Sequence, residues 1–300
     1  MNETVTLETR TIRSVLRRGI EPLNKAGIES ARLDAEALLC HASGFDRAAL
    51  YTRLDETCSA RIEALFESFL ERRVKHEPVS YITGVKEFWS LDFGVDRRVL
   101  IPRPETELLV ETTLKYAMQL ERKNLNILDL GTGSGALAVA LATELPEARL
   151  WAVDISLDAL AVASANARRH GVAQKIEFLA GDLFESLARV RPKFDLIISN
   201  PPYIEDAALS DLAPEIRLHE PRKALDGGSD GLEFYKRIIG RGWQYLAKDG
   251  AILFEIGAEQ ASAVAQLFAR TERFSPAETY QDIAGRDRVV AATMKGRLDG

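Results

Sequence analysis

Phe194-Asp-Leu-Ile-Ile-Ser-Asn-Pro-Pro-Tyr203 is the stretch whose reading decides the fold. It reads as a short buried β-strand, rich in Ile and Leu, that ends in a polar residue and two prolines. A strand cannot pass through Pro201-Pro202, because neither residue has an N–H for a ladder and each fixes its own φ. Asn200 precedes a proline and is pushed toward an extended conformation. The result is a stiff corner at the carboxyl end of a strand, where open α/β sheets hold their ligands. The corner offers an amide side chain, backbone carbonyls without a competing N–H, and the ring of Tyr203. Such groups suit a planar amide or amine held by its N–H bonds. An isolated Asn-Pro-Pro-Tyr is as often a plain turn plugged by a tyrosine, so the surrounding chain has to decide.

Working outward, the sequence alternates strand and helix, the signature of a doubly wound, mostly parallel α/β sheet. Strands are expected at Asn126–Leu130, Arg149–Val153, Lys175–Leu179, at the opening stretch and at Ala251–Glu255, with two more near 274–280 and 288–293, seven in all. Helices are expected after Gly135, over Ser156–His170, Leu232–Leu246 and Ala261–Ala269, and from Pro104 to about Leu120. Before this sheet, residues 1–77 read as a small helical domain. Ile12, Val15, Leu16 and Ile20 give one amphipathic helix that Gly27 can close, and Ser30 stands where a second would be capped. A short element over Asp46–Leu54 and a helix through Ile62, Leu65, Phe66, Phe69 and Leu70 complete it. Residues 78–99, aromatic and punctuated by Gly84 and Gly94, read as a β-hairpin linker to a domain spanning 100–300.

The bulk numbers exclude several classes. A chain of 300 residues accommodates one large and one small domain, and 46% hydrophobic with 28% charged residues is ordinary for a globular protein. A formal net charge of −6 argues against a dedicated nucleic-acid binder, whose affinity comes largely from a basic face. Cys40 and Cys58 are too few for a disulfide framework and point to a reducing compartment, with packing as their role. The four histidines lack Cys or His partners at ligand spacing, so no metal site is expected. The first residues show no signal peptide, and no apolar run approaches the roughly 18–20 residues that span a bilayer. A cytoplasmic protein is the expectation, and nothing demands more than a monomer.

Chemistry concentrates at the strand ends. Gly131-Thr-Gly-Ser-Gly135 (Gly131, Thr132, Gly133, Ser134, Gly135) follows a buried strand and opens a helix, and glycine there lets a ligand approach the backbone. Asp154, 19 residues after Gly135 and at the end of the next strand, can bind two ribose hydroxyls. The pair points to a nucleoside, and both nicotinamide dinucleotides and S-adenosylmethionine fit. Asp182, ending the third strand, can accept from an adenine amine, with Leu183 or Phe184 against the ring; its plain role as a turn or cap residue is nearly as common. Hydride transfer has no evident use for a double-proline amide clamp, whereas methyl transfer to a planar nitrogen does. Asn200 and the Pro201 carbonyl can each accept one N–H, with Tyr203 against the planar group.

With these residues in view, the chain resembles the release factor glutamine methyltransferases, the PrmC (HemK) type of class I methyltransferase. The resemblance runs from about Pro78 to Arg288. It includes Ile101-Pro-Arg-Pro-Glu-Thr-Glu107, Glu220-Pro-Arg-Lys-Ala-Leu-Asp-Gly-Gly-Ser-Asp-Gly231 and Asp282-Ile-Ala-Gly-Arg-Asp-Arg288. It implies a Rossmann-like methyltransferase sheet, and methyl transfer from S-adenosylmethionine to the glutamine amide of the Gly-Gly-Gln motif in class I peptide release factors. It also implies that Gly131–Gly135, Asp154, Asp182, Leu183 and Asn200 bind cofactor. Asn200, Pro201, Pro202 and Tyr203 would hold the substrate and do the catalysis, and the helical domain would dock the release factor. Some members carry Trp after the acid of the third strand, where this chain has Leu183. Arg103 and Glu105 are candidates for the cofactor pocket; Glu220-Pro-Arg222 and Gly227-Gly228 are candidates for the substrate entrance. Asn-Pro-Pro-Tyr alone is shared with adenine-N6 nucleic-acid methyltransferases, the alternative reading, which would need a basic surface and room for a flipped base. A cofactor-bound scaffold docking on translation proteins is a third.

Overall fold

The structure is a computed structural model that describes residues 10–189 and 193–296. The chain forms two compact units, one running to Gly84 and including Ala213–His219, the other comprising Val85–Leu212 and Glu220 onward.

The first unit is helical: α1 (Ile12–Lys25), α2 (Ala31–Ser43), α3 (Arg47–Thr52), α4 (Ala60–Val74) and α5 (Val79–Thr83). Its apolar stripe is the one the periodicity marks, with Ile12, Val15, Leu16, Leu38, Leu39, Leu50, Phe66 and Leu70 in a common core. Caps set the helix starts. Thr11, Asp46 and Ser59 each accept a backbone N–H from the first turn of α1, α3 and α4. Ser30 occupies the cap position of α2 but its side chain makes no capping bond.

The expected hairpin over 78–99 is shorter than the pattern suggests. Val79–Thr83 is a single helical turn behind Pro78, closed by Gly84 at φ 74°, and only β1 (Val85–Phe88) and β2 (Leu91–Gly94) pair. Tyr81 and Ile82 are buried from that turn. So short an apolar run has no readable period, and its Pro and Gly flanks decide for helix.

The second unit continues with α6 (Glu107–Gln119), β3 (Asn126–Leu130), α7 (Ala136–Glu144), β4 (Arg149–Asp154), α8 (Leu157–Arg169), β5 (Ile176–Ala180) and β6 (Phe194–Ser199). After α9 (Pro214–His219), which belongs to the helical unit, come α10 (Glu233–Gly242), β7 (Leu246–Glu255), α11 (Ala261–Arg270), β8 (Glu278–Gln281) and β9 (Asp287–Thr293). The strands form one seven-stranded sheet in the order β5-β4-β3-β6-β7-β9-β8. The first five are parallel, while β9 runs antiparallel to β7 and β8 antiparallel to β9. Buried strands here are near-continuous apolar runs, as two covered faces require, and β6 is buried at all six positions. Helix α7 is buried from Ala136 through Ala142. Strand β7 begins at Leu246, five residues before the expected Ala251, with a register irregularity opposite Phe194–Leu196.

Chain order reverses between β3 and β6. From β3 the chain winds outward through β4 and β5, then returns to place β6 on the other side of β3. This is the switch point at which open α/β sheets leave a crevice.

Within the helical unit, Arg73 of α4 is a buried hub. Its Nε donates to Asp34 Oδ2 at 2.7 Å and its Nη2 to Glu215 Oε1 at 2.8 Å, so α2, α4 and α9 share one guanidinium. His219 adds a bond to the Lys75 carbonyl at 2.9 Å. Burial by itself would raise the Glu215 carboxyl, but the Arg73 hydrogen bond carries it below the usual range. Arg73→Met removes the charge while keeping most of the volume, and leaves Asp34 without its guanidinium and Glu215 with only His76 beside it. Urea unfolding is expected to show a loss of about 3 kcal/mol; a loss under about 0.5 kcal/mol would show that solvent already screens the network.

Candidate active site

Two strand ends meet at the switch point, and a buried hydrogen bond fastens them. Ser199, the last residue of β6, donates from Oγ to the Leu130 carbonyl at the end of β3, 2.6 Å away. Gly131 and Asn200, the next residue of each strand, therefore lead out side by side.

On the β3 side, Gly131, Gly133 and Gly135 all have positive φ (77°, 54° and 80°). An added Cβ at Gly131 or Gly133 would meet nothing within 4 Å, so their backbone faces open space; at Gly135 it would press on Ala163 at 3.0 Å. The open pair makes a backbone surface that a ligand can approach, while the third glycine lets α7 and α8 close. The loop is buttressed from below. Thr132 and Gly131 donate their N–H groups to the Val153 carbonyl, and Thr132 Oγ1 donates to Asp129 Oδ2 at 2.6 Å. Burial pushes the Asp129 carboxyl up to about 7, against the Thr132 bond. Asn166, 2% exposed on α8, donates to the Ser134 and Gly94 carbonyls, which ties the loop to β2.

Asp154 ends β4 beside this loop. Its Oδ2 accepts from Gly133 N and its Oδ1 from Ser156 N, both at 2.9 Å. The two amides fix the carboxylate plane and leave each oxygen a further lone pair. Burial raises its pKa, partly offset by those amides. Asp182 follows β5, and its Oδ2 accepts from Arg237 at 2.6 Å, which leaves Oδ1 for a ligand. The adenine-packing question is sharpened by the next two side chains. Phe184 is buried and stacks on Tyr245 at 4.7 Å, so it belongs to the core, while Leu183, at φ 52°, stays partly exposed.

On the β6 side, the corner is held from three directions, and the holding segments are those that carry the family resemblance. From Ile101–Glu107, Thr106 Oγ1 accepts from Asn200 Nδ2 at 3.2 Å. From Glu220–Gly231, Gly227 lies flat on the corner: an added Cβ would sit 2.7 Å from Tyr203 Cα and 2.9 Å from the Pro202 carbonyl. From Asp282–Arg288, Arg288 is fixed by Asp282 at 3.0 Å and lowers the pKa of Tyr203 through its charge. Gln260 adds a bond to the Tyr203 carbonyl at 3.0 Å. Arg103 and Glu220 pair with each other at 2.5 Å, and Glu220 also accepts from Ile101 N. They join two of the segments.

The arrangement thus brings together Gly131–Gly135, Asp154 and Asn200–Tyr203 around one crevice. Sequence reasoning missed Asp129, Thr106 and above all Glu255. Glu255 ends β7, next to the corner, and is 2% exposed. Burial pushes its carboxyl up to about 7, while hydrogen bonding from Thr106, the Arg288 charge and hydrogen bonding from Asn200 pull it down. An acid closing a run of buried apolar residues was the available signal, the same one that drew attention to Asp154. Among the described residues no His, Cys, Asp and Glu cluster is placed to hold a metal ion, and no helix is long and apolar enough to cross a membrane.

Two family models match the chain, the PrmC N-terminal domain over residues 14–84 and the methyltransferase small domain over residues 104–230. A release factor glutamine methyltransferase from Geobacter sulfurreducens is 46% identical over 287 residues, covering 96% of this chain and 98% of that protein. The chain belongs to the release factor glutamine methyltransferase family. A second such relative, from Moorella thermoacetica, is 41% identical over 94% of this chain and 98% of its own length. A bifunctional methyltransferase of Rickettsia typhi is 39% identical over 93% of this chain, which spans 57% of that longer protein. As a member of this family the chain is an S-adenosylmethionine-dependent methyltransferase. Solved structures agree on the fold. The hMettl16 catalytic domain matches with a TM-score of 0.57 at 15% identity, covering 73% of this chain and 81% of that one. A Pyrococcus furiosus methyltransferase matches with a TM-score of 0.52 at 16% identity, covering 75% and 98%.

Gly227→Ala places a Cβ against backbone that has no side-chain freedom to give way. It is expected to cut methyl-transfer turnover by about tenfold or more, on the scale of a misplaced catalytic group, and to leave cofactor affinity within about twofold by calorimetry. Unchanged turnover would mean that Tyr203 can shift without consequence.

Proposed function

We propose that this enzyme methylates the side-chain amide nitrogen (N5) of the glutamine in the Gly-Gly-Gln motif of class I peptide release factors, and thereby modulates translation termination in the cytoplasm. The observation that carries the reading is the proline-stiffened corner at the switch point, fastened to the glycine loop by the Ser199–Leu130 bond. The relatives named for this activity, at 41% and 46% identity over nearly the whole chain, support the same substrate. They favour it over the adenine-N6 alternative that the corner alone leaves open.

The chain's residues fit S-adenosylmethionine. Gly131 and Gly133 present open backbone, Asp154 offers a carboxylate with its plane fixed and lone pairs spare, and Asp182 with Leu183 offers an acceptor beside an apolar face. When bound, the cofactor supplies a methyl group activated by a sulfonium. The protein's own task is to present the nucleophile. An amide nitrogen is a poor nucleophile because its lone pair is shared with the carbonyl. Asn200 Oδ1 and the Pro201 carbonyl each accept one of its N–H groups, which fixes the nitrogen and restores electron density to it; once the new nitrogen–carbon bond has formed, one of these protons leaves to solvent. Acceptors held in advance in this way keep the reorganisation that accompanies transfer small. Tyr203 lies against the planar amide as a neutral phenol, since burial pushes its pKa up to about 12. The helical unit is the docking module for the release factor. Between α1 and α4 it carries a groove of about 620 Å³ lined by Val15, Phe66 and Leu70 with Arg18 and Glu67.

Incubation with labelled S-adenosylmethionine and a release factor is expected to label the wild-type factor, and to leave unlabelled one whose Gly-Gly-Gln glutamine is changed to alanine. Equal labelling of both would end the assignment; labelling of a mixed oligonucleotide pool in place of the factor would favour adenine. Asn200→Ala is expected to lower kcat by about a hundredfold, the scale of one lost preorganised polar contact, with a far smaller change in cofactor Kd. Parallel losses would make its amide mainly a cofactor contact.

A further inference from the structure

The corner fixes the backbone of Asn200 but not the direction of its side-chain amide. The terminal torsion of an asparagine is broad and roughly two-fold, and its oxygen and nitrogen ends are similar in size. Only one of the two orientations presents Oδ1 to a substrate N–H. In the other, Nδ2 would face the substrate nitrogen, donor against donor. Two buried residues that the methyl-transfer reading leaves unused stand behind this amide.

Thr106, 4% exposed, receives Asn200 Nδ2 on its Oγ1 at 3.2 Å. The carboxylate of Glu255, 2% exposed, lies close enough to Thr106 and Asn200 for each to draw its pKa down against burial. Glu255 Oε2 has no hydrogen-bond partner among the described residues. An ionised carboxylate only accepts. A hydroxyl that donates to it has only its lone pairs left for Asn200, and these select Nδ2. We propose that Thr106 and Glu255 are positioning residues that set the orientation of the Asn200 amide, nitrogen toward Thr106 and oxygen toward the substrate glutamine. The inference rests on the role proposed above for Asn200.

The direction of the chain depends on the proton on Glu255. A protonated carboxyl can donate to Thr106 Oγ1, which frees the hydroxyl to donate to Asn200 and favours the reversed amide. The groups facing Glu255 are Thr106 and Glu105 from the turn before α6, Asn200 and Tyr203 from the corner, Arg288 from β9 and Tyr235 from α10, whose hydroxyl donates to the Glu255 backbone carbonyl at 3.0 Å. Burial holds the carboxyl up to about 7, so the productive orientation is held above that pH and lost as pH falls through it.

The test uses the full chain, labelled S-adenosylmethionine and a release factor. Wild-type kcat is expected to fall about tenfold per pH unit below about 7, as one essential ionisation requires. Thr106→Val, which keeps the shape but not the hydroxyl, is expected to lose at least about tenfold in kcat at pH about 8, and Thr106→Ser to recover turnover to within about threefold of wild type. Glu255→Gln is expected to lose turnover and the acid limb together. Cofactor Kd should stay within about twofold throughout. In the free protein, the Asn200 side-chain amide protons should titrate by NMR with a midpoint near 7 that vanishes in Glu255→Gln. That readout needs no turnover, so it separates this inference from the choice of substrate: a wild type that methylates no glutamine but shows the titration would overturn only the substrate. Full kcat in Thr106→Val, a Thr106→Ser as impaired as Thr106→Val, cofactor binding lost in step with turnover, or an amide that does not titrate would each overturn the proposal.

Discussion

The bond from Ser199 Oγ to the Leu130 carbonyl joins the two strand ends on which everything else is built. Parallel neighbours in a sheet share a ladder only as far as both remain extended. Here β3 turns into a glycine loop and β6 into a double proline at the same level, and their pairing ends at Asp129 and Ile198. A serine at the end of β6 serves the Leu130 carbonyl from its side chain. A buried carbonyl left without it would cost about 1–3 kcal/mol. The strain of holding two different turns side by side thus falls on one hydroxyl, and the crevice opens where the ladder stops.

Around that point the protein invests its buried charge. Asp129 lies under the glycine loop and Glu255 beside the corner, and burial pushes both carboxyls up to about 7. Asp129 accepts from the Thr132 hydroxyl, and Thr106 lies near enough to Glu255 to lower its pKa. Buried polar groups of this kind are costly unless satisfied, and when satisfied they hold one arrangement in preference to others. Asp154 by contrast takes two backbone amides and keeps its outer lone pairs for the crevice.

Much of this was legible in the chain. The apolar runs and their polar terminators mark the central strands β3, β4 and β6 closely, because a strand buried on both faces has no alternative composition, while the exposed edge strand β8 is placed only roughly. The glycine loop, Asp154 and the Asn-Pro-Pro-Tyr corner are adjacent in space because chain order reverses between β3 and β6, and local sequence marks each of them. What was illegible depends on distant pairing. That Phe184 belongs to the core is decided by Tyr245, which stacks on it from 61 residues further on. That Arg103 and Glu220 pair with each other is invisible at either position, since 117 residues separate them. Thr106 is unremarkable at its own position, and Glu255, although it closes a buried apolar run, acquires its meaning only beside Asn200. The turn at Val79–Thr83 is too short for any period to announce it.

The placement of Pro214–His219 has a consequence for the chain's connectivity. Leaving the corner at Tyr203, the backbone enters the helical unit, contributes Glu215 to the Arg73 hub, and only then returns at Glu220 to meet Arg103. The two units are therefore laced by three crossings of the backbone instead of one. Cutting the chain at Gly84 would not release two finished pieces, since the catalytic portion would carry away a helix whose carboxylate had lost its guanidinium.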